Sequence, residues 1–323
     1  MEKLKWGVLS TARIGIQKVI PALKNSRYCD IHAIASRNLE KAKQAATTAG
    51  IPKAYGSYEE LLEDDEIQVI YNPLPNHLHL PWTIKALEAG KHVLCEKPIG
   101  LNANEAQTLI EAAKKVPHLK VMEAFMYRFH PQWVRAKQLV DEGEIGDLRV
   151  IHTLFAYFNL DEADVRNQAA IGGGGLLDIG CYPISLSRWL YHEEPQQIQS
   201  WMEYDPQFGT DRLASAILNF SQGLATFTVS TQLFPYQRVQ IFGTSGRIEI
   251  EIPFNPPNDC PSRIWLEKEK HKEEIHFPPC DQYALQGDAF AEAILESKPL
   301  PIPLEDALAN MQVIDAVRAA AIG

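Results

Sequence analysis

Positive charge is scarce in this chain, and paired cysteines are absent. The 323 residues include 31 lysines and arginines against 41 aspartates and glutamates, which gives a formal net charge of −10. Nucleic acids and anionic membranes attract basic surfaces, so this balance argues against both classes of partner. The five cysteines form no C-x-x-C pair. An odd number without such pairs favours free thiols in a reducing compartment over a disulfide framework.

Long apolar runs and a leader segment are also missing. No stretch reaches the roughly 18 apolar residues that span a bilayer. The first strand is expected to begin at about Leu4, which leaves no room for a leader peptide. We therefore expect no membrane association and a cytoplasmic location. Apolar residues make up 46% of the chain and charged residues 22%, which is ordinary for a globular enzyme.

Two patterns of secondary structure follow one another along the chain. Up to Glu123, apolar strands such as Leu4–Leu9 alternate with helical segments such as 39–46, which predicts a doubly wound parallel sheet of the Rossmann type. Beyond it strands dominate, with a hairpin predicted around the turn 243–246. We therefore predict an α/β fold with two domains, a dinucleotide-binding domain over residues 1–123 and an α+β domain over residues 124–323.

The second domain is expected to carry a large, mostly antiparallel sheet with one open face. Helices cover one side of such a sheet, and the other side can bind a partner. Isologous pairing through the open face would bury its apolar residues, so we predict a homodimer or homotetramer formed through this sheet. Trp201 is expected in the core.

The fingerprint of a dinucleotide-binding turn, G-x-G-x-x-G, survives only in part after the first strand. It aligns with Ser10–Gly15, and only its third glycine is present. Ala12 is the smallest alternative where the backbone must approach a pyrophosphate, and the N–H groups at the start of the next helix would bind that group. An ordinary strand–helix turn is the alternative interpretation. The candidate cofactor residues here are Ser10, Thr11, Ala12, Arg13 and Ile14.

An acidic residue is missing after the second strand, where an NAD-selective site usually binds the ribose 2′-hydroxyl. Ser36 and Arg37 stand there instead. A guanidinium is a bidentate phosphate partner, and a serine hydroxyl can donate a further hydrogen bond. The pair therefore predicts NADP as the cofactor, with NAD disfavoured. The alternative is that Arg37 is only a solvated residue at the entry of a helix.

Lys97 lies in the segment Glu96-Lys97-Pro98, directly after the apolar run 91–94. Ligands of an open α/β sheet bind outside the carboxyl ends of the strands, so this lysine is predicted to point into the nucleotide crevice. A loop lysine that happens to precede proline is the alternative. Glu96 and Lys97 are both candidate cofactor contacts.

The segment Pro75-Asn76-His77-Leu78-His79 follows an earlier strand and should lie at the same edge of the sheet. Pro75, Asn76 and His79 are therefore further cofactor candidates. His77 and His79 could bind a metal by residue type, but they lack a nearby cysteine and H-x-x-x-H spacing. Loop histidines are the better interpretation, and no metal site is predicted.

A second candidate cluster follows four consecutive glycines, Gly172–Gly175. These glycines could let the backbone approach a ligand closely, or they could form a flexible loop. Asp178 and Tyr182 are four residues apart and share a face if the segment is helical. Pro183 predicts a kinked helix or one that starts at the proline, with Tyr182 near an N-terminus whose dipole favours phenolate. A core tyrosine with a capping aspartate is the alternative.

Together these segments resemble the Gfo/Idh/MocA oxidoreductases over nearly the whole chain. The carriers of the resemblance are the segments Ser10–Gly15, Pro75–His79, Glu96–Pro98, Tyr127–Pro131 and Gly173–Tyr182. Ser36-Arg37 and the segment Phe242–Glu249 are similar to the NADP-linked branch, which holds xylose dehydrogenases, dihydrodiol dehydrogenases and glucose–fructose oxidoreductase. The inositol dehydrogenase branch, with histidine at the position of Tyr182, is disfavoured.

The resemblance implies hydride transfer between a substrate CH–OH group and NADP. Tyr182 would be the base, the Lys97 ammonium would lower its pKa, and Asp178 would hydrogen-bond a neighbouring hydroxyl. Which of Lys97 and Tyr182 touches the reacting oxygen stays open. The expected substrate contacts are Arg128, Asp178 and Tyr182.

The expected substrate is a cyclic aldose, such as xylose or glucose, oxidised at C1. The alternatives are a trans-dihydrodiol dehydrogenase, for which Phe129 and Tyr157 could contact the ring, and an anhydro- or keto-sugar reductase. A non-catalytic NADP-binding sensor protein is a further alternative on the same fold.

Overall fold

The computed structural model describes residues 3–269 and 271–322. The chain forms two compact units. Unit 1 contains the described residues up to Met126 together with Asp281–Leu308. Unit 2 contains Tyr127–Cys280 together with the described residues from Ala309 onward.

Unit 1 is built on a six-stranded sheet. Its strands are β1 (Leu4–Leu9), β2 (Cys29–Ala35), β3 (Lys53–Tyr55), β4 (Val69–Asn72), β5 (His92–Cys95) and β6 (Val121–Glu123). All neighbouring strands pair in parallel, in the order β3-β2-β1-β4-β5-β6. The predicted doubly wound parallel sheet is confirmed, and the short β3 is an addition to the predicted strands.

Five helices connect these strands. They are α1 (Ile20–Lys24), α2 (Leu39–Ala49), α3 (Tyr58–Leu62), α4 (His79–Glu88) and α5 (Ala103–Lys114). The starts of α2, α3 and α5 follow from N-cap side chains: Asn38, Ser57 and Asn102 each accept a hydrogen bond from the backbone N–H three residues later. The helical stretch after β1 begins with the π-helical turn Gly15–Val19 before α1.

Unit 2 carries a nine-stranded sheet. Its strands are β7 (Leu148–Phe158), β8 (Gln197–Tyr204), β9 (Asp211–Asn219), β10 (Leu224–Ser230), β11 (Gln232–Gly243), β12 (Gly246–Ile250), β13 (Ser262–Lys268), β14 (His271–Phe277) and β15 (Ala321–Ile322). Their order is β14-β13-β12-β11-β7-β10-β9-β8-β15, and the pairs β7–β10 and β8–β15 are parallel while the others are antiparallel. The predicted β11–β12 hairpin is confirmed, with Phe242 opposite Arg247.

The two faces of this sheet differ in burial. Helices α6 (Pro131–Asp141) and α7 (Cys181–Tyr191) pack against β13 and β7, and alternate strand residues such as Val239 and Ile241 are fully buried. On the other face Phe158, Trp201 and Ile217 are exposed. The expectation that Trp201 is a core residue was wrong, because its side chain is 53% exposed on this open face.

Helix α8 (Gln282–Leu295) lies in unit 1, whereas the predicted second domain ran without interruption over residues 124–323. The Phe290 ring packs edge-on against Trp6 of β1, with centroids 5.9 Å apart. Asp288 accepts hydrogen bonds from the backbone N–H groups of Arg27 and Tyr28, at 2.8 and 3.1 Å. These contacts join residues that are at least 260 positions apart, which a local pattern cannot reveal. Helix α9 (Leu304–Ala319) follows α8.

One helical segment, Ala169–Tyr191, is long and apolar enough by length and composition to cross a membrane. The sequence analysis did not anticipate it. In its most apolar window 67% is buried inside the protein, as in the core helix of a water-soluble protein. Composition is therefore a weak indication of a membrane span here.

Candidate active site

The turn after β1 is held in an unusual backbone conformation. Ser10 adopts φ 79°, which is uncommon for a residue with a side chain. Its N–H donates to the Ala35 carbonyl at 2.9 Å, and its hydroxyl accepts from the Ala12 N–H at 3.2 Å. A serine thus holds the conformation that the first fingerprint glycine would adopt freely. Thr11, Ala12 and Ile14 are half-buried, whereas Arg13 is exposed.

The turn after β2 fits an anionic group. Ser36 is buried at the strand end, and its hydroxyl accepts from the Asn38 N–H at 3.3 Å, which leaves the hydroxyl proton to donate. Arg37 is exposed, with its guanidinium beside the Tyr58 hydroxyl. Burial raises the pKa of Tyr58, and the Arg37 charge opposes that rise. The exposed Arg37 guanidinium and the Ser36 hydroxyl together are a suitable donor set for a phosphate.

Hydrogen bonds within unit 1 fix the backbone and the side chain of Glu96, the residue before Lys97. The Glu96 N–H donates to the Asn72 carbonyl at 3.0 Å, and the Tyr71 hydroxyl donates to Glu96 Oε1 at 2.7 Å. Burial, and then the Glu96 carboxylate, raise the pKa of Tyr71 well above its ordinary value, so Tyr71 stays a neutral donor. Lys97 is half-buried at the carboxyl end of β5. This placement agrees with a functional lysine better than with a mobile loop lysine.

His79 lies inside unit 1, with only 1% of its surface exposed. Its Nδ1 is 2.7 Å from the Pro98 carbonyl oxygen, and its Nε2 is 2.6 Å from the Leu74 carbonyl oxygen. Burial lowers the pKa of His79 to about 4, so the ring is neutral and its single N–H donates to one of these carbonyls. The ring therefore joins the turn after β4 to the Lys97–Pro98 segment. This position corrects the direct cofactor contact expected for His79, because the ring has almost no accessible surface.

The rest of the turn after β4 remains accessible. Pro75 precedes the 3₁₀ turn Asn76–Leu78, and Pro75, Asn76 and His77 are half-buried. Because β1, β2, β4 and β5 run in parallel, the candidate residues that follow them share the carboxyl edge of one sheet. Over residues 3–269 and 271–322, the structure contains no group of three or more His, Cys, Asp or Glu side chains placed to hold a metal ion.

In unit 2, Tyr182 lies within a helical stretch, not at its start. The π-helical turn Leu176–Gly180 runs directly into α7, and Pro183 is the third residue of α7. An α-helix would press the proline ring against the Ile179 carbonyl, and the π-helical turn lies at that point. Of the two predicted arrangements, the helix that starts at Pro183 is wrong, whereas a continuous helix with an irregularity at the proline agrees with the structure. The dipole of a helix N-terminus therefore does not support a Tyr182 phenolate.

The Asp178 carboxylate is held by two donors on one oxygen. The Tyr157 hydroxyl donates to Oδ2 at 2.7 Å, and the Arg166 Nε donates to the same atom at 3.0 Å. Burial and the Asp178 charge raise the pKa of Tyr157, while the Asp178 charge raises the pKa of Arg166. A neutral phenol and a charged guanidinium thus stabilise Asp178 as a carboxylate. Arg166 was not among the site residues predicted from the sequence. Its charge in a loop was the only feature of the sequence that could have indicated this role.

In the four-glycine run, the backbone packs closely against other segments of the protein. The Gly173 and Gly174 N–H groups donate to the carbonyls of Gln168 and Arg166, at 3.0 and 2.9 Å. A Cβ on Gly173 would lie 2.5 Å from the Arg166 carbonyl oxygen, and one on Gly174 would overlap the Asp211 carboxylate. Gly173 and Gly174 therefore seat the loop that carries Arg166.

Tyr182 is a residue of α7, and Arg128 packs against the same helix. The Tyr182 ring is buried, with its centroid 5.0 Å from Phe254 and 5.8 Å from Phe155. The Arg128 guanidinium donates to Ser185 Oγ at 2.7 Å and lies 5.4 Å from the Trp189 ring centroid. Within unit 2, Asp178 and Tyr182 thus lie about one helical turn apart, and Arg128 contacts Ser185 and Trp189 of the same helix as Tyr182.

Two family models match the chain. A model of an oxidoreductase family with an NAD-binding Rossmann fold matches residues 4–125, and a model of the GFO/IDH/MocA C-terminal domain matches residues 133–249. The chain belongs to the Gfo/Idh/MocA oxidoreductase family. The predicted family, enzyme class and fold class are confirmed.

Relatives in this family act on sugars or diols. A D-xylose 1-dehydrogenase (NADP(+)) of Haloferax volcanii is 35% identical over 97% of this chain and 96% of its own. A trans-1,2-dihydrobenzene-1,2-diol dehydrogenase of Xenopus laevis is 37% identical over 76% of this chain and 74% of its own. The structure of KijD10, a 3-ketoreductase from Actinomadura kijaniata in complex with NADP and TDP-benzene, has a TM-score of 0.92 and 32% identity, covering 99% of this chain and 98% of that chain.

Proposed function

We propose that the protein is an NADP(H)-dependent dehydrogenase that transfers hydride between C1 of a cyclic aldose, such as xylose or glucose, and the nicotinamide. The observation that carries the proposal is the charged, largely buried Asp178 carboxylate one helical turn from Tyr182, because such a pair suits a substrate rich in hydroxyl groups. The full-length similarity to a xylose dehydrogenase supports it.

The cofactor residues are those at the carboxyl edge of the unit 1 sheet. The turn from Ser10 to Ile14 would bind the pyrophosphate, and Ser36 with Arg37 would bind the 2′-phosphate. NAD fits less well, since the turn at Ser36 offers no carboxylate for a free 2′-hydroxyl. Pro75, Asn76, Glu96 and Lys97 are proposed for the remaining contacts. Bound NADP would supply the hydride acceptor in oxidation, and NADPH the donor in reduction.

Tyr182, Lys97 and Asp178 are the proposed catalytic residues. The Tyr182 phenolate would take the proton from the reacting hydroxyl, and in reduction the phenol would return it. The Lys97 ammonium would favour the phenolate by its charge. Asp178 would accept a hydrogen bond from a neighbouring hydroxyl and so orient the substrate, and Arg128 would border the same pocket.

A trans-dihydrodiol dehydrogenase is the second candidate. The rings of Tyr127, Phe155 and Phe254 surround Tyr182, and such a cluster could receive an aromatic diol. An anhydro- or keto-sugar reductase would use the same residues in the opposite direction. A sensor protein without turnover is disfavoured, because it would have no need to retain both Lys97 and Tyr182.

We propose a cytoplasmic location because the cysteines form no disulfide bonds. All five cysteines are free, and Cys29, Cys95 and Cys181 are buried. Such usage is typical of proteins from reducing compartments.

We expect kcat/KM with NADP to be higher for xylose or glucose than for a trans-cyclohexadiene diol. Buried polar groups such as Asp178 penalise ligands that leave them unpaired, and a pyranose offers more hydroxyl groups than the diol does. The measurement follows reduced nicotinamide absorbance with each substrate. A diol preferred over both sugars by more than about tenfold would replace the aldose with the second candidate.

The Arg37→Ala variant should bind NADPH more weakly by about 1.5–3 kcal/mol, because a charge-assisted phosphate contact is lost. NADH affinity should stay close to wild type. Fluorescence titration measures both affinities. Lys41→Ala, which removes an exposed cation from the helix α2 that follows Arg37, is the matched control. An Arg37→Ala variant with unchanged NADPH affinity would refute the proposed role of Arg37.

We also propose that the protein is a homodimer or homotetramer paired through the open face of the unit 2 sheet. Exposed apolar side chains such as Phe158, Trp201 and Ile217 support this proposal, since a stable interface of about 1,600 Å² would bury them. Light scattering at micromolar concentration should therefore give at least twice the monomer mass, and Ile217→Asp should lower it. A wild-type monomer would contradict the proposal.

A further inference from the structure

Asp211, the first residue of β9, places a buried carboxylate against the end of the glycine run. Only 4% of the residue is exposed. Its Oδ2 accepts a hydrogen bond from the Leu176 N–H at 2.6 Å, and the Gly175 N–H also donates to the carboxylate. A Cβ on Gly174 would overlap Oδ1. The carboxylate therefore packs directly against the backbone where the helical stretch that contains α7 begins.

The backbone that Asp211 contacts leads to Asp178. The Gly174 carbonyl accepts a hydrogen bond from the Asp178 N–H at 3.1 Å, and the Gly174 N–H donates to the Arg166 carbonyl at 2.9 Å. The Arg166 Nε in turn donates to the Asp178 carboxylate at 3.0 Å. Asp211 thus holds the short segment that joins the loop of Arg166 to the helical stretch of Asp178.

The ionised form of Asp211 destabilises the fold. Burial raises the pKa of this carboxyl from 3.8 to about 6, although the Leu176 N–H and the Arg318 charge oppose the rise. The folded protein therefore binds this proton more tightly than the unfolded chain does. The stability that the proton contributes is fully present below pH 3.8 and is lost as the pH rises through about 6. At neutral pH the charge of Asp211 is thus retained against the stability of the protein.

Asp205, in the turn between β8 and β9, shows the opposite balance. Its Oδ1 accepts from the N–H groups of Gln207 and Phe208 at 2.8 and 2.9 Å, and its Oδ2 accepts from Gln232 Nε2 at 2.8 Å. The Gln232 side chain, followed by the Phe208 N–H, lowers the pKa of Asp205. A lowered pKa means that the carboxylate stabilises the folded protein at neutral pH, and that this contribution is lost in acid. The stability of the fold thus accounts for the charge of Asp205 but not for that of Asp211.

We propose that Asp211 is a positioning residue, whose carboxylate holds the start of the helical stretch so that Asp178 and Tyr182 keep the orientation that turnover requires. An ionised carboxylate accepts shorter and stronger hydrogen bonds than a neutral group does, so the charge fixes the Gly175 and Leu176 N–H groups in place. The inference rests on the proposed function, because it takes Asp178 and Tyr182 as the residues that act on the substrate. Asp211 acts through them.

The Asp211→Asn variant should slow turnover without weakening the fold. The amide keeps the shape of the side chain and loses the charge, so we expect kcat to fall at least about tenfold, because small misplacements of catalytic groups lower the rate strongly. The melting temperature at mildly alkaline pH should equal or exceed that of wild type, since the buried charge is removed. NADPH affinity should stay close to wild type, because the proposed cofactor residues lie in unit 1. Steady-state kinetics with the preferred sugar or diol, thermal unfolding and fluorescence titration measure the three quantities.

Asp205→Asn is the matched control, because it neutralises another aspartate of unit 2 that accepts two backbone N–H groups. This variant should melt a few degrees below wild type and keep a kcat close to wild type. The two variants should therefore change stability and turnover in opposite combinations.

Two further variants test the route through Tyr182. In a Tyr182→Phe background, Asp211→Asn should lower the remaining turnover much less than it does in the otherwise unchanged protein, because residues that act as one unit are not additive. Asp211→Ser, a smaller neutral variant, should also lower kcat and leave NADPH affinity close to wild type.

The outcomes distinguish this inference from the proposed function. A wild type that turns over neither a sugar nor a diol contradicts the proposed function, and the inference falls with it. A near-wild-type kcat in Asp211→Asn overturns the inference alone. So does an Asp211→Asn variant that loses stability and turnover together, or whose effect on turnover is fully additive with Tyr182→Phe, because Asp211 would then serve only the fold.

Discussion

The ionised state of Asp178 is the constraint on which the proposed chemistry of unit 2 depends. A carboxylate that is largely removed from water needs charged or hydrogen-bonding partners. Arg166 and Tyr157 supply them, and Arg166 can do so only because the loop that carries it packs directly against Gly173 and Gly174. A side chain at either glycine would meet the backbone of that loop or the Asp211 carboxylate. The glycine run, the loop and the carboxylate therefore form one functional arrangement.

Unit 1 fixes its own functional segment in a comparable way, through buried neutral groups. Tyr71 donates to Glu96, the Asn72 carbonyl accepts from the Glu96 N–H, and the His79 ring lies between the Leu74 and Pro98 carbonyls. Each partner lies on or after β4, the strand beside β5. Pairing of β4 with β5 in the sheet therefore places the backbone that leads into Lys97.

Patterns in the local sequence were sufficient to predict much of the fold. Strand–helix alternation predicted the parallel sheet, and the turn 243–246 predicted the β11–β12 hairpin, because both signals are read over a few neighbouring residues. The return of α8 to unit 1 depends on contacts of Phe290 and Asp288 with residues near the N-terminus, which no local window contains. Most of the candidate site residues could be named from the motifs. The burial of His79 and the ion pair of Arg166 with Asp178 could not, since each depends on tertiary packing.

Lys97 and Tyr182 are proposed to act in the chemical step, and neither is assigned to the pyrophosphate or the adenosine ribose of the cofactor. The most direct measurement is turnover, together with NADPH affinity, for Lys97→Met and Tyr182→Phe with the preferred sugar. The account predicts that each variant loses roughly 10²–10⁴-fold in kcat, the usual contribution of acid–base catalysis, while NADPH affinity changes far less. Near-wild-type turnover in both variants would contradict it and would place the reaction elsewhere in the protein.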